Sequence, residues 1–190
     1  LDHDDELTPD ALAAIVQAFR DRPDAGFVYS DWAEVIEGTG TPLTYGDGWA
    51  FGYGRYRTDT YRGQALQVAC APPINASTIR HVVSAPNHVR AWRREAYWRA
   101  GGHNALLHVA DDYELMVRTF LHTRMVHIPA LLYVQHLNSG SNTQDQRRCE
   151  IQRLVRHIRD QYEQAIHERL VELGVPDPVW RDPAPIAARL

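Results

Sequence analysis

Apolar residues recur at helical spacing at both ends of the chain and gather into short runs between them. Leu12, Ile15, Val16 and Phe19 share one face of a predicted helix. Thr8-Pro9 would open that helix, threonine as the N-cap and proline at the first helical position, and Arg22-Pro23-Asp24 would end it. Gly26 to Asp31 (GFVYSD) then reads as a short buried strand with an acid at its end. A helix running straight into a strand is half of a βαβ crossover. The other half is expected to be a strand ending at Leu1, so that Asp2 to Asp5 leave its carboxyl end. Open α/β sheets bind ligands at that edge.

Gly38 to Pro73 is rich in glycine, tyrosine and arginine and has no period. It predicts an irregular insertion or lid over a site, with a packed surface loop as the alternative. Val82-Val83 and His88 to Ala91 predict strands, and Arg93 to Ala100 a helix stopped by Gly101-Gly102. Ala110 to Leu115 opens another helix, with Asp111 in the cap position and Glu114 at capping-box spacing. Met125 to Ile128 and Leu131 to Gln135 predict two short strands around Pro129. Ile151, Leu154, Val155, Ile158, Tyr162, Ile166 and Leu170 form the stripe of a long helix. Thr143 and Gln146 are at capping-box spacing before it, and Gly174 and Pro176 end it. The class is α/β. Residues 1–142 form the main unit, 143–175 a long amphipathic helix packed on it, and 176–190 an irregular tail. No internal repeat is visible.

The 190 residues, 44% hydrophobic and 23% charged, suffice for one globular domain with a sizeable core. A formal net charge of −4 lacks the basic footprint of a nucleic-acid binder. No apolar run reaches membrane-spanning length and no signal segment opens the chain. Cys70 and Cys149 suggest neither a disulfide framework nor a zinc cage, so a reducing cytoplasm is expected. The first residue is leucine, so the coding sequence is expected to begin upstream. There is no lysine. That excludes a Walker phosphate loop, a kinase strand lysine and Schiff-base chemistry. Arginine remains, and it binds phosphate in a bidentate way.

Three groups carry candidate chemistry. Asp2, Asp4 and Asp5 crowd carboxylates that repel each other unless something offsets the charge. A divalent cation bridging phosphates is one solution, and a solvated acidic loop before a helix is another. Asp2 and Asp4 point to the same side of an extended segment. Asp112 follows a capping acid but is not needed as a cap itself; placed in a first helical turn, it could accept a proton from a hydroxyl or simply face solvent. His136 ends a strand before a polar loop and could ligate metal or lie on the surface.

Together these segments resemble the family 2 glycosyltransferases, over roughly Leu1 to Arg148. LDHDDELTPDAL resembles the family's acidic metal-binding motif and its helix, and FVYSDW the strand after it. NHVRAWRREAYWRAGGHN resembles the segment that shapes the acceptor side. ADDYELMVRTF resembles the acidic pair and helix whose second acid is usually the base, and LYVQHLNSGSN the later strand with its histidine. The resemblance implies an inverting transferase on a partial GT-A (Rossmann-like) mixed sheet flanked by helices, with the long C-terminal helix added. The nucleotide-binding portion would lie upstream.

Carried over residue by residue, it implies that Asp2 and Asp4 hold manganese or magnesium on the diphosphate of a nucleotide-diphosphate sugar. Asp5 assists, and His136 is a further metal contact. Asp112 is the base, beside Asp111. Asn87 and Arg90 line the acceptor pocket. The acceptor would be a glycan, a lipid-linked group or a protein, in cell-surface glycan or glycoconjugate synthesis at the cytoplasmic side of the membrane. The Gln-x-x-Arg-Trp motif of processive synthases is missing, so single addition is expected. A nucleotidyltransferase, a metal-dependent hydrolase and a non-catalytic binding module are the competing readings.

Overall fold

The computed structural model describes residues 1–137 and 147–178. Thr143, Gln146 and residues 179–190 of the expected tail lie outside the described residues. In chain order the elements are β1 (Glu6–Leu7), α1 (Ala11–Asp21), β2 (Ala25–Ile36), β3 (Thr41–Leu43), a 3-10 turn (Trp49–Gly52), β4 (Arg55–Tyr61) and β5 (Gln64–Cys70). They continue with α2 (Thr78–His81), β6 (Arg90–Trp92), α3 (Arg94–Arg99), α4 (Asp111–His122), β7 (Arg124–Leu137) and α5 (Arg148–Glu172). The protein is mixed α/β. Its seven-stranded sheet runs β1-β7-β2-β5-β4, and β3 and β6 also pair with β2. β2 and β7 are parallel; every other pair is antiparallel.

β2 is the centre of the sheet. One edge lies along β7, and the other is shared in turn by β6, β5 and β3. The sequence predicts that this strand ends at Asp31, but it continues to Ile36 and is buried from Ala25 to Val35. Its polar residues are tolerated because each has a partner. Asp31 accepts from Arg57, from the Ala71 N–H at 2.8 Å and pairs with His127 at 2.6 Å. The Ser30 hydroxyl accepts the Val89 N–H at 3.0 Å. Buried polar groups persist in native proteins when paired in this way.

The stripe on α5 packs as its period requires. Val155, Ile158, Ile166 and Leu170 are buried with Tyr113, Val117 and Phe120 of α4 and Ile79 of α2. The left-handed backbone at Gly101 and Gly102 follows α3, the position where glycine alone avoids a Cβ clash. Gly174, at φ +67°, closes α5.

Several local expectations are corrected. α1 begins at Ala11 with Asp10 as its N-cap, because the Thr8 hydroxyl turns to Asp10 Oδ1 at 2.7 Å and a turn occupies Thr8 to Ala11. Asp111 is the first residue of α4, not its cap. Ala110, at φ +58°, takes the cap position, and Glu114 is drawn away by Arg118 and the Tyr162 hydroxyl. Val82-Val83 is not a strand but the exit from α2. The two strands expected around Pro129 are one strand, β7, which bulges where Ile128 and Leu131 face Ser30 and Asp31. Gly38 to Pro73 is largely ordered: β4 and β5 form a hairpin closed by Arg62 (φ +50°) and Gly63 (φ +78°). Positive φ at both central residues matches the twist of a two-residue hairpin turn. No helix among the described residues is long and apolar enough to cross a membrane.

Candidate active site

The sheet brings one broad cleft, of about 950 Å³, between four segments. Glu34 of β2 and Gln135 and Leu137 of β7 lie at its base. Residues 45–51 and the end of α2 form one side, and Asn87, His88 and Arg90 with the start of α4 form the other. The first residues of α5 close it from above, through Arg148 and Ile151.

Asp112 lies in the first turn of α4 and lines this cleft beside Asp111. Arg90 Nη1 donates to its Oδ2 at 2.9 Å, and the Tyr113 N–H to its Oδ1 at 2.7 Å. Arg90 is held in turn by two hydrogen bonds to the Pro86 carbonyl. Asp112 is therefore fixed in direction while about half exposed to the cleft. Each oxygen retains a lone pair for a further donor. Asn87, buried at the same wall, makes no side-chain hydrogen bond among the described residues.

The acidic segment borders the cleft without lining it. Asp5 is anchored to β7: its Oδ2 accepts the Tyr133 hydroxyl at 2.6 Å and its Oδ1 the His136 N–H at 2.8 Å. The backbone of Asp2 lies against the same Tyr133 hydroxyl. The Tyr133 ring stacks on His88, centroids 4.5 Å apart, and His88 lines the cleft. Asp2 and Asp4 are exposed, and His3 lies 3.8 Å from Asp4.

The His136 imidazole does not line the cleft, although its backbone N–H binds Asp5. Along β7 the side chains alternate, and Gln135 and Leu137 face the cleft. His136 is in register with Val35, on the other face, and its Nε2 meets Glu6 Oε1 at 3.0 Å. Tyr61 and Arg62 of the hairpin hold the other oxygen of that Glu6. Among the described residues no three His, Cys, Asp or Glu side chains converge as a metal cage.

Three cleft residues escaped sequence reasoning. Glu34 is hidden in a run that reads as strand, Trp49 in the aperiodic aromatic stretch, and His88 next to Asn87. The only sequence signal was an acid inside WAEVI and a histidine beside a candidate residue. The stack on Tyr133 and the cleft itself exist only in the folded chain.

Burial, reinforced by the Arg90 guanidinium, pushes the His88 imidazole down from its ordinary 6.5 to about 3. The folded protein keeps it neutral where the unfolded chain would protonate it. The stability it contributes is therefore complete above pH 6.5 and is lost as pH falls from there toward 3. Burial alone would raise Asp31, but hydrogen bonds from His127, the Ala71 N–H and Arg57 outweigh it and hold the carboxyl below its ordinary 3.8, so its contribution is complete above that value and is lost as pH falls below it. Urea unfolding from pH 7 to 5 should show a falling midpoint, with His88 supplying up to about 1 kcal/mol per pH unit. His88→Gln should flatten that slope; an unchanged slope contradicts the assignment.

No protein-family profile matches the chain. Over 38 residues it is 50% identical to the uncharacterized protein y4gI of Sinorhizobium fredii, a match covering 20% of this chain and 4% of that protein. So short a stretch of so long a protein carries no statement about activity.

Proposed function

We propose that the chain serves the transfer of a sugar from a nucleotide-diphosphate sugar to an acceptor hydroxyl, with inversion and one sugar at a time. The observation that carries this reading is Asp112: a carboxylate fixed by Arg90 at the start of a helix, open to a cleft large enough for two sugar rings. In the reaction Asp112 takes the proton of the acceptor hydroxyl. The acceptor oxygen then bonds the anomeric carbon from the side opposite the diphosphate, and the breaking carbon–oxygen bond leaves its electrons on the diphosphate. A base so placed is a recognised source of acceleration.

The diphosphate calls for a cation. Magnesium is commonly held by one or two carboxylates together with substrate phosphates, so it needs no protein cage. Asp2, whose backbone lies against the Tyr133 hydroxyl, and Asp4, exposed two residues on, suit that role, and His136, paired with Glu6 on the opposite face, is not among the holders. Manganese or magnesium bound there would neutralise charge on the leaving group. Asp5 positions the segment through its two bonds to β7.

The test is release of nucleoside diphosphate by the native protein from a panel of nucleotide sugars, with magnesium or manganese, with and without sugar acceptors. Release that requires an acceptor supports transfer. Equal release without any acceptor would show a hydrolase.

A further inference from the structure

The cleft contains more unpaired polar chemistry than a proton transfer needs. Glu34 is 6% exposed, and its Oε1 accepts both the Trp32 indole N–H at 2.8 Å and the Tyr45 hydroxyl at 2.9 Å. Its Oε2 accepts nothing from any described residue. Asn87 is 7% exposed with its amide unengaged. Trp49 Nε1 and His88 Nδ1 are both buried without a partner. All four residues line the same cleft. Folded proteins pair nine in ten or more of their buried polar groups, so two unmet buried atoms beside two further unengaged groups in one place need an explanation.

The wall above them is aromatic. Trp49 packs in a cluster with Trp32, Tyr45 and Tyr56, at centroid distances of 5.9, 5.2 and 5.9 Å. Gly54 admits the Trp49 ring, since a Cβ there would fall 2.0 Å from it. Ala50 and Phe51 hold left-handed backbone at φ +51° and +57°, a conformation side chains rarely adopt. Such strain gathers where a site needs a particular geometry. Here it presents Phe51, 62% exposed, at the cleft, with its ring 5.6 Å from that of His81.

We infer that Glu34, Asn87, Trp49 and His88, under the ring of Phe51, form a subsite for a pyranose ring, and that the acceptor of the transfer is therefore itself a sugar. A sugar supplies what the site lacks. Its hydroxyls both donate, to Glu34 Oε2 and the Asn87 carbonyl, and accept, from the Asn87 amide. Its C–H face suits the negative face of an aromatic ring. A phosphate in the place of the sugar would meet the Glu34 carboxylate, and of the arginines that line the cleft Arg90 is already paired with Asp112. A prenyl chain would leave both Glu34 Oε2 and the Asn87 amide unmet.

Naming the sugar as acceptor rests on the transfer reaction proposed above, but its binding is measured without a donor. Chitotriose and cellotriose are titrated into the protein, read by tryptophan fluorescence and by proton NMR of the ligand. Uridine and farnesyl phosphate are titrated alongside. At least one trisaccharide should bind saturably. Glu34→Gln, which keeps shape and removes charge, should weaken it about tenfold, and Phe51→Ala, an exposed position that leaves folding intact, by a similar factor. Trp98→Ala, an aromatic 64% exposed on α3 and outside the cleft, should change nothing. Binding of neither trisaccharide, binding indifferent to Glu34 and Phe51, or binding of uridine or farnesyl phosphate alone overturns the subsite. Trisaccharide binding without acceptor-dependent release would keep the subsite and sink the transfer reaction. Release without trisaccharide binding would do the reverse.

Discussion

Asp112→Asn is expected to cut turnover of the native protein by about a hundredfold or more, the usual scale for loss of a general base. Donor binding should change little, because the lost interaction acts on the reacting hydroxyl. The substitution keeps an oxygen for the Tyr113 N–H and preserves the shape of the α4 start. What it removes is the charge that pairs with Arg90 and the basicity needed to take a proton. Asp111→Asn is the control. Asp111 lines the same cleft, but no other side chain orients it among the described residues. It should retain most activity. If Asp111→Asn is inactive and Asp112→Asn active, the base is the other acid. If both are active, no base acts from this helix.

Arg80→Met is expected to cost about 3 to 5 kcal/mol of stability, the scale for breaking a buried ion pair by removing one partner. The Arg80 side chain is 2% exposed. Its Nε binds both oxygens of Glu163 on α5, and its two terminal nitrogens bind Asp177 at 3.0 and 2.7 Å. Nη1 also donates to the Ala76 carbonyl at 2.9 Å. One side chain thus joins α2 to α5 and to the chain beyond α5. Methionine fills the volume but leaves Asp177, 3% exposed, to His167 and its remaining contacts. Urea denaturation reads the effect as a lower midpoint at unchanged slope. A loss below about 1 kcal/mol, the size of an ordinary surface change, would show that the network adds nothing to the fold.

What the sequence revealed depended on period. The α5 stripe and the glycines after α3 were legible because helical spacing and a left-handed stop are local properties. The β4–β5 hairpin was not, because β4 exposes residues on both faces and shows no alternation, and its turn is Arg-Gly rather than the usual Asn-Gly. β2 concealed its length behind Asp31 and Glu34, whose partners come from distant β4, β7 and the Tyr45 segment. The same limit applies to the site. Asp112 was visible as an acid at a helix start. His136 was visible as a histidine at a strand end, but which face it takes is decided by register with β2, which no local pattern carries. Glu34 and His88 became site residues only when the sheet and the helix starts enclosed a common cleft.

Inverting transfer with Asp112 as base fixes the anomeric configuration of the product. The native protein would be given an α-linked nucleotide sugar and a trisaccharide acceptor, and the new linkage read from its proton NMR coupling. A β-linked product, formed by the native protein and lost in Asp112→Asn, is the predicted result. An α-linked product, or a β-linked product formed equally well without the Asp112 carboxylate, would contradict it.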